Sequence, residues 1–203
     1  MSLFPMFVKL EGRCCLVVGA GKVGEGKIRS LLVSRARVRV VAPIATPQVA
    51  AWAQAGLIEW EGREFATGDL DGVFLVVAAT SLIAVNTEVH RAAQARGVLC
   101  NAVDDPERCD FYYGSVVRRG QLQVAISTEG QSPALAQRLR RDIEVQIDPA
   151  YAGWLVELGQ QRAELHARAM EPEARRQRLH EIASGRAFRS RRAIAARRRK
   201  ETA

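Results

Sequence analysis

The segment Gly19-Ala20-Gly21-Lys22-Val23-Gly24 is built to hold a phosphate. It follows the apolar run of residues 14–18 at once and opens a stretch that sets Ile28, Leu31 and Leu32 at helical spacing. A G-x-G-x-x-G pattern between a buried strand and a helix is a dinucleotide fingerprint rather than an ordinary glycine turn. Gly19 permits the tight turn, Gly21 lets backbone approach a pyrophosphate, and Gly24 lets the helix sit close on the strand. The anion then rests on the first free N–H groups of the helix, at Lys22 and Val23.

The acid that commonly ends the second strand and binds ribose hydroxyls is missing, because Val40-Val41-Ala42-Pro43-Ile44 contains none. Backbone groups of Ala42, Pro43 and Ile44 are therefore expected to border the ribose. Arg37 and Arg39 lie on that strand but not at its end, so the reading favours NAD over NADP. Two further strand ends carry candidates. Ala78-Ala79-Thr80 ends the fourth, with Ala79 and Thr80 facing the cofactor, and Asn101-Ala102-Val103-Asp104-Asp105-Pro106 ends the fifth. Asp104 is the candidate acid/base group, placed beside the nicotinamide in a partly dry crevice, and Asn101 is a substrate-binding candidate on the same strand end. An Asp-Pro turn is the competing explanation of the pair, and Asp105, next to the proline, suits it better. A polar loop, Ser127-Thr128-Glu129-Gly130-Gln131-Ser132-Pro133, leads into a helix. It reads either as an N-cap alone or as a site where Ser127, Thr128, Gly130 and Ser132 hold carboxylates of an acidic substrate.

These residues need a scaffold that gathers strand ends, and the rest of the sequence supplies one. Residues 38–42 form a β-branched run ended by Pro43, residues 46–55 a helix capped by Thr46, and residues 57–60 a short strand. Residues 72–79 are the strongest strand, residues 86–95 a helix ending before Gly97, and residues 98–103 a fifth strand. Strands alternating with helices imply an α/β fold, a Rossmann-like doubly wound parallel sheet, over residues 1–113. Residues 114–147 then read as a small α+β dimerisation segment: strands at 115–118 and 122–127 joined through Arg119-Gly120, and a helix from Ser132-Pro133 to about Gln146. A hairpin and one helix bury little alone, so a second copy of the chain is expected to cover them. Residues 148–203 read as a helical C-terminal segment with a basic tail, its last dozen residues frayed.

Charge and cysteine usage narrow the function classes. The net charge of +8 is concentrated at the end, where residues 175–200 hold eleven Lys and Arg against the single acid Glu181. The crevice-bearing part is close to neutral, and Phe188 is the sole aromatic near the basic run, so no specific nucleic-acid partner is expected. Cys14, Cys15, Cys100 and Cys109 show no metal-type spacing and read as free packing thiols. The histidines His90, His166 and His180 fall on helices away from the crevice, and no metal site is expected. No apolar run reaches the roughly 18 residues of a membrane span, and the start lacks a signal-peptide pattern, so a cytoplasmic address is expected.

The assembled residues resemble the bifunctional precorrin-2 dehydrogenase and sirohydrochlorin ferrochelatase family of siroheme synthesis. The likeness runs from Phe4-Pro5-Met6-Phe7 and Leu10 through Val17-Val18-Gly19-Ala20-Gly21-Lys22-Val23, Lys27, Leu31-Leu32, Val41-Ala42-Pro43, Ala78-Ala79-Thr80 and Asn86. It continues through Cys100-Asn101-Ala102-Val103-Asp104, Phe111 and the loop from Ile126 to Ala136, about three quarters of the chain. The resemblance implies NAD-dependent dehydrogenation of precorrin-2 to sirohydrochlorin, with insertion of Fe2+ as a second activity that some relatives lack. It also implies a homodimer built on the hairpin and helix, and a role for Asp104 in both steps. One departure stands out: Gly24 and Gly26 occupy positions where the family usually carries Ala and Arg, which points to a weaker helix start. The competing functions are another NAD(P)-dependent oxidoreductase, or an NAD(H) sensor that binds nucleic acid through its basic tail.

Overall fold

The computed structural model describes residues 3–189 and 191. By internal contacts the chain divides into two compact units, Met1–Tyr113 and Gly114–Ala203. Residues 148 onward thus share a unit with the hairpin and its helix.

The first unit is a five-stranded parallel sheet in the order β3-β2-β1-β4-β5. Its strands are β1 (Cys14–Ala20), β2 (Arg37–Ala45), β3 (Glu59–Glu61), β4 (Leu75–Ala78) and β5 (Leu99–Ala102), with α1 (Lys22–Val33), α2 (Pro47–Gln54) and α3 (Ile83–Arg96) between them. Period-two alternation sorts the strand residues onto two faces. Leu16, Val18, Val76, Ala78 and Cys100 share one core with Val89 and Ala93 of α3. Cys15, Val17, Val40 and Val77 share the other with Ile28 and Leu31 of α1 and Val49 of α2. Every residue of β1 is buried, and each Val or Leu so enclosed contributes about 1.5–3 kcal/mol. Register places Val17 between Val40 of β2 and Val77 of β4, with Asn101 of β5 next in the row. The chain leaves β1 toward β2 on one side and fills β4 on the other, so the sheet has its switch point at the ends of β1 and β4, where a crevice opens.

Two local readings change. Pro43 reads as a strand stop, yet β2 runs on through it to Ala45, because its pairing with β3 ends at Val41 and no ladder bond is lost at the proline. Gly24, read as a weak point in the first turn of α1, also has a packing role, since a Cβ there would lie 2.1 Å from the Gly19 carbonyl oxygen, whereas Gly26 has open space around it.

The second unit begins with the hairpin β6 (Ser115–Arg119) and β7 (Leu122–Ile126). Arg119 belongs to the strand, and the turn is Gly120-Gln121, with Gly120 at φ +59°. Helix α4 (Pro133–Gln146) is capped by Ser132, whose hydroxyl accepts from Leu135 N–H. Arg119 closes its other end, donating from Nη2 to the Glu144 carbonyl at 2.7 Å and from Nε to that of Ile147 at 3.0 Å. Helices α5 (Tyr151–Ala167) and α6 (Pro172–Ile182) follow. Phe188 is buried, stacked on Tyr151 with ring centroids 4.2 Å apart and 4.8 Å from Trp154, and Arg191 pairs with Glu157. The tail is therefore part of this unit as far as Arg191, while the basic run 192–200 and its expected fraying lie outside the described residues. Phe188→Ala should destabilise the second unit by about 3 kcal/mol. An unchanged denaturation midpoint would mean the trio carries no packing energy.

Candidate active site

The ends of β1, β2 and β4 surround a cleft of about 760 Å³, whose walls include Gly19, Gly21, Lys22, Val23, Ala42, Pro43, Ile44, Ala79, Thr80 and Asp104. Gly24 lies beneath it, buried against Gly19. A volume of this size suits a cofactor.

The three fingerprint glycines do different work. Gly19 has φ +104°, and a Cβ on it would lie 2.6 Å from the Ala79 carbonyl oxygen, so β1 and β4 approach closely only because it is glycine. Gly24 allows the close approach of α1. Gly21 has nothing within 4 Å of a Cβ position and an ordinary φ of −73°, so neither space nor backbone within the protein demands glycine there. What remains is approach from the cleft, and the residues present fit a pyrophosphate laid on the first turn of α1.

Three side chains that sequence reasoning did not single out in these roles hold the cleft walls. Glu25, in the first turn of α1, accepts from the Thr46 hydroxyl at 2.9 Å and from Arg29 at 2.7 Å, tying α1 to the residue that caps α2. Trp60 donates its indole N–H to the Ala42 carbonyl at 3.0 Å, which fixes the end of β2. Asn86, buried, accepts from the Thr80 hydroxyl at 2.7 Å and backbone N–H at 3.2 Å and donates to the Thr80 carbonyl at 3.1 Å. Thr80 thus shapes the rim through its backbone, with its hydroxyl engaged by Asn86. The Glu25–Arg29 pair is a local i, i+4 contact within α1, whereas no local pattern signals the other bonds.

Arg39 pairs with Glu61 at 3.1 Å and lies 3.9 Å from Asp69, which Arg63 also binds at 2.6 Å. Arg63 holds the buried Asp69 carboxyl below the usual carboxylate range. Arg39 is committed to this network and not to the cleft.

Asp104 lies on the cleft wall with φ +61°, a left-handed conformation that aspartate tolerates better than most residues. Expected in a partly dry crevice, it is instead exposed within this chain. Asp105 pairs with Arg108 within the turn that follows. Asn101 does not line the cleft: buried on β5, its amide nitrogen donates to the Phe111 carbonyl at 2.7 Å and to Cys109 Sγ at 3.3 Å, bracing residues 109–111. Burial pushes the Cys15 thiol up to about 11 and that of Cys100 up to about 12, away from the reactive thiolate form.

In the second unit the loop before α4 folds on itself. Glu129 N–H donates to the Ser127 hydroxyl at 3.1 Å, Ser132 N–H to that of Thr128 at 3.2 Å and Leu135 N–H to that of Ser132 at 3.2 Å, with Gly130 at φ +79°. Each hydroxyl accepts from backbone and keeps its own hydrogen to donate. His90, His166 and His180 lie on α3, α5 and α6, and no helix among the described residues is long and apolar enough to cross a membrane.

Comparison with known proteins agrees with this geometry. Residues 119–146 match the family profile described as sirohaem biosynthesis protein central. Siroheme synthase 1 of Serratia proteamaculans is 43% identical over 158 residues, 78% of this chain and 33% of the relative. Siroheme synthase 1 of Klebsiella pneumoniae is 40% identical over 187 residues, 92% of this chain and 40% of the relative. The chain therefore spans about a third to two fifths of the length of these relatives. The solved structure of SirC, a precorrin-2 dehydrogenase, superposes with a TM-score of 0.76 at 27% identity, covering 90% of both chains. With residues 6–115, more than half its length, matching the profile described as putative NAD(P)-binding, the chain belongs to that family.

Proposed function

We propose that this chain oxidises precorrin-2 to sirohydrochlorin with NAD, a step of siroheme biosynthesis, and that it also serves Fe2+ insertion. The observation that carries the reading is Asp104 on the wall of the same cleft as the phosphate loop; the likeness to siroheme synthases and to SirC supplies the substrate. When bound, NAD supplies the hydride acceptor. The turn from Gly19 to Gly21 and the first turn of α1 hold its pyrophosphate, Ala79 and Thr80 form the rim, and residues 42–44 border the ribose. NAD is favoured over NADP because Arg39 is held by acids and Arg37 opens β2 at the end away from the cleft, so neither is among the residues that line it. As hydride leaves the substrate, an Asp104 carboxylate oxygen takes the accompanying proton. In metallation the exposed Asp104 carboxylate, having passed its first proton to solvent, takes the two pyrrole N–H protons one at a time and hands each to solvent as Fe2+ enters. The hydroxyls of Ser127, Thr128 and Ser132, with the Gly130 turn, donate to tetrapyrrole carboxylates. We further propose a cytoplasmic homodimer closed through the hairpin and α4.

The test is an anaerobic assay with enzymatically made precorrin-2, with NAD or NADP and with or without Fe2+, followed by absorbance. Sirohydrochlorin is expected with NAD, and siroheme when iron is added. No oxidation with either nucleotide would overturn the reading, and oxidation without metal uptake would confine it to the dehydrogenase. A monomer by light scattering at micromolar concentration would remove the dimer.

A further inference from the structure

Gly24, Lys27, Ile28 and Leu31 stand at i, i+3, i+4 and i+7 of α1, the stripe that faces the sheet. Gly24, Ile28 and Leu31 are buried, as that stripe requires, but Lys27 puts a cation there, half-buried. Its Nζ lies 3.8 Å from the ring centroid of Tyr113, and Tyr113 in turn lies 5.7 Å from Phe111. The acidic groups that act on it, Asp104 and Cys109, do so across space rather than as an ion pair. A ring face replaces only part of the hydration that an ammonium gives up. Burial accordingly pulls the Lys27 pKa below that of an ordinary lysine, with Asp104 and Cys109 opposing the shift. A cation in this condition is completed by an arriving anion.

The position decides which anion. The pyrophosphate site is the first turn of α1, whereas Lys27 is more than a turn further along, under Tyr113 and within electrostatic reach of Asp104. An ammonium against the exposed ring of Tyr113, which has Phe111 at its side, matches a flat macrocycle edged with carboxylates. We propose that Lys27 binds a peripheral carboxylate of the tetrapyrrole and so docks the macrocycle beside Asp104, an assignment that rests on the functional reading above. It is a substrate-binding residue distinct from the polar loop of the second unit.

The experiment is steady-state oxidation of precorrin-2 by the full chain at saturating NAD. Lys27→Met keeps the apolar stem and should raise KM for precorrin-2 by about 10- to 100-fold, the usual effect of losing a charge-assisted pair, with kcat within about threefold. NAD affinity by calorimetry should be unchanged, which shows that the variant is folded. Lys27→Arg should restore most of the loss. In the parent, KM should climb on the alkaline side as Lys27 gives up its proton, earlier than an ordinary lysine would. That climb should vanish in Lys27→Arg, because a guanidinium stays charged while Asp104, Cys109 and Tyr113 are the same in both. An unchanged KM in Lys27→Met, a loss confined to kcat, or an alkaline climb that persists in Lys27→Arg would overturn the assignment. A parent that does not oxidise precorrin-2 would overturn the functional reading, and this assignment with it.

Discussion

Asp104→Ala is expected to bind NAD as the parent does and to form sirohydrochlorin at least a hundredfold more slowly. The two halves of that result come from separate parts of the cleft. The proposed phosphate loop comprises Gly19, Gly21 and the first turn of α1, held by Glu25 and Thr46, and no hydrogen bond or ion pair among the described residues joins it to Asp104. The carboxylate is the group on the opposite strand end that can take a proton, and removing a general base typically costs about 10² to 10⁴ in rate. Asp105→Ala supplies the control, because Asp105 is spent on Arg108 in the following turn. Its loss should leave turnover within a few-fold. If the Asp104 carboxylate also receives the pyrrole protons, metal insertion into supplied sirohydrochlorin should fall in the same variant. Full dehydrogenase activity in Asp104→Ala, or equal losses in the two variants, would assign the carboxylate to the turn and move the base to water or to the substrate's own carboxylates.

The sheet and the glycine turn that follows β1 were legible because they depend on local signals. Apolar runs at residues 14–18 and 75–78, closed by glycine or followed by helical spacing, specify buried parallel strands. The G-x-G-x-x-G pattern specifies what lies between the first of them and its helix. Thr46 and Ser132 declared themselves as caps by residue type and by the proline that follows each. What stayed hidden was set by contacts that no helix or strand periodicity encodes. Asn86 locks Thr80, Trp60 anchors Ala42 and Asn101 braces Phe111, and in each case a polar side chain satisfies a backbone group whose position is known only once the sheet is assembled. The same holds for Phe188, which reads as an aromatic stray in a basic tail and is in fact buried against Tyr151 and Trp154. Deleting residues after Gly185 would remove that packing, so a truncation meant to probe the basic run has to begin after Arg191.

Gly21→Asp should abolish NAD binding while leaving the protein at least as stable, and the opposite signs of the two effects make it the sharper test of the phosphate loop. Substitution at either neighbouring glycine would confuse fold with function. An alanine at position 19 adopts φ +104° with its Cβ 2.6 Å from Ala79, and one at position 24 meets the Gly19 carbonyl at 2.1 Å, so both disturb the packing of α1 and β4 on β1. Position 21 is different. Its φ of −73° and ψ of −175° suit any residue, the space around its Cβ is open, and it is the N-cap of α1. Aspartate is among the best N-caps, better than glycine by a few tenths of a kcal/mol, and its charge is favoured at a helix N-terminus. That same charge would occupy the place of the pyrophosphate. Two like charges about 4 Å apart at a protein surface repel by roughly 4 kcal/mol, which is about a thousandfold in affinity. Calorimetry with NAD and a thermal melt on the same preparation separate the outcomes. A melting temperature equal to or above the parent's, with no detectable NAD heat, is the expected pair. Parent-like NAD affinity in a folded Gly21→Asp would place the cofactor phosphates somewhere other than the first turn of α1.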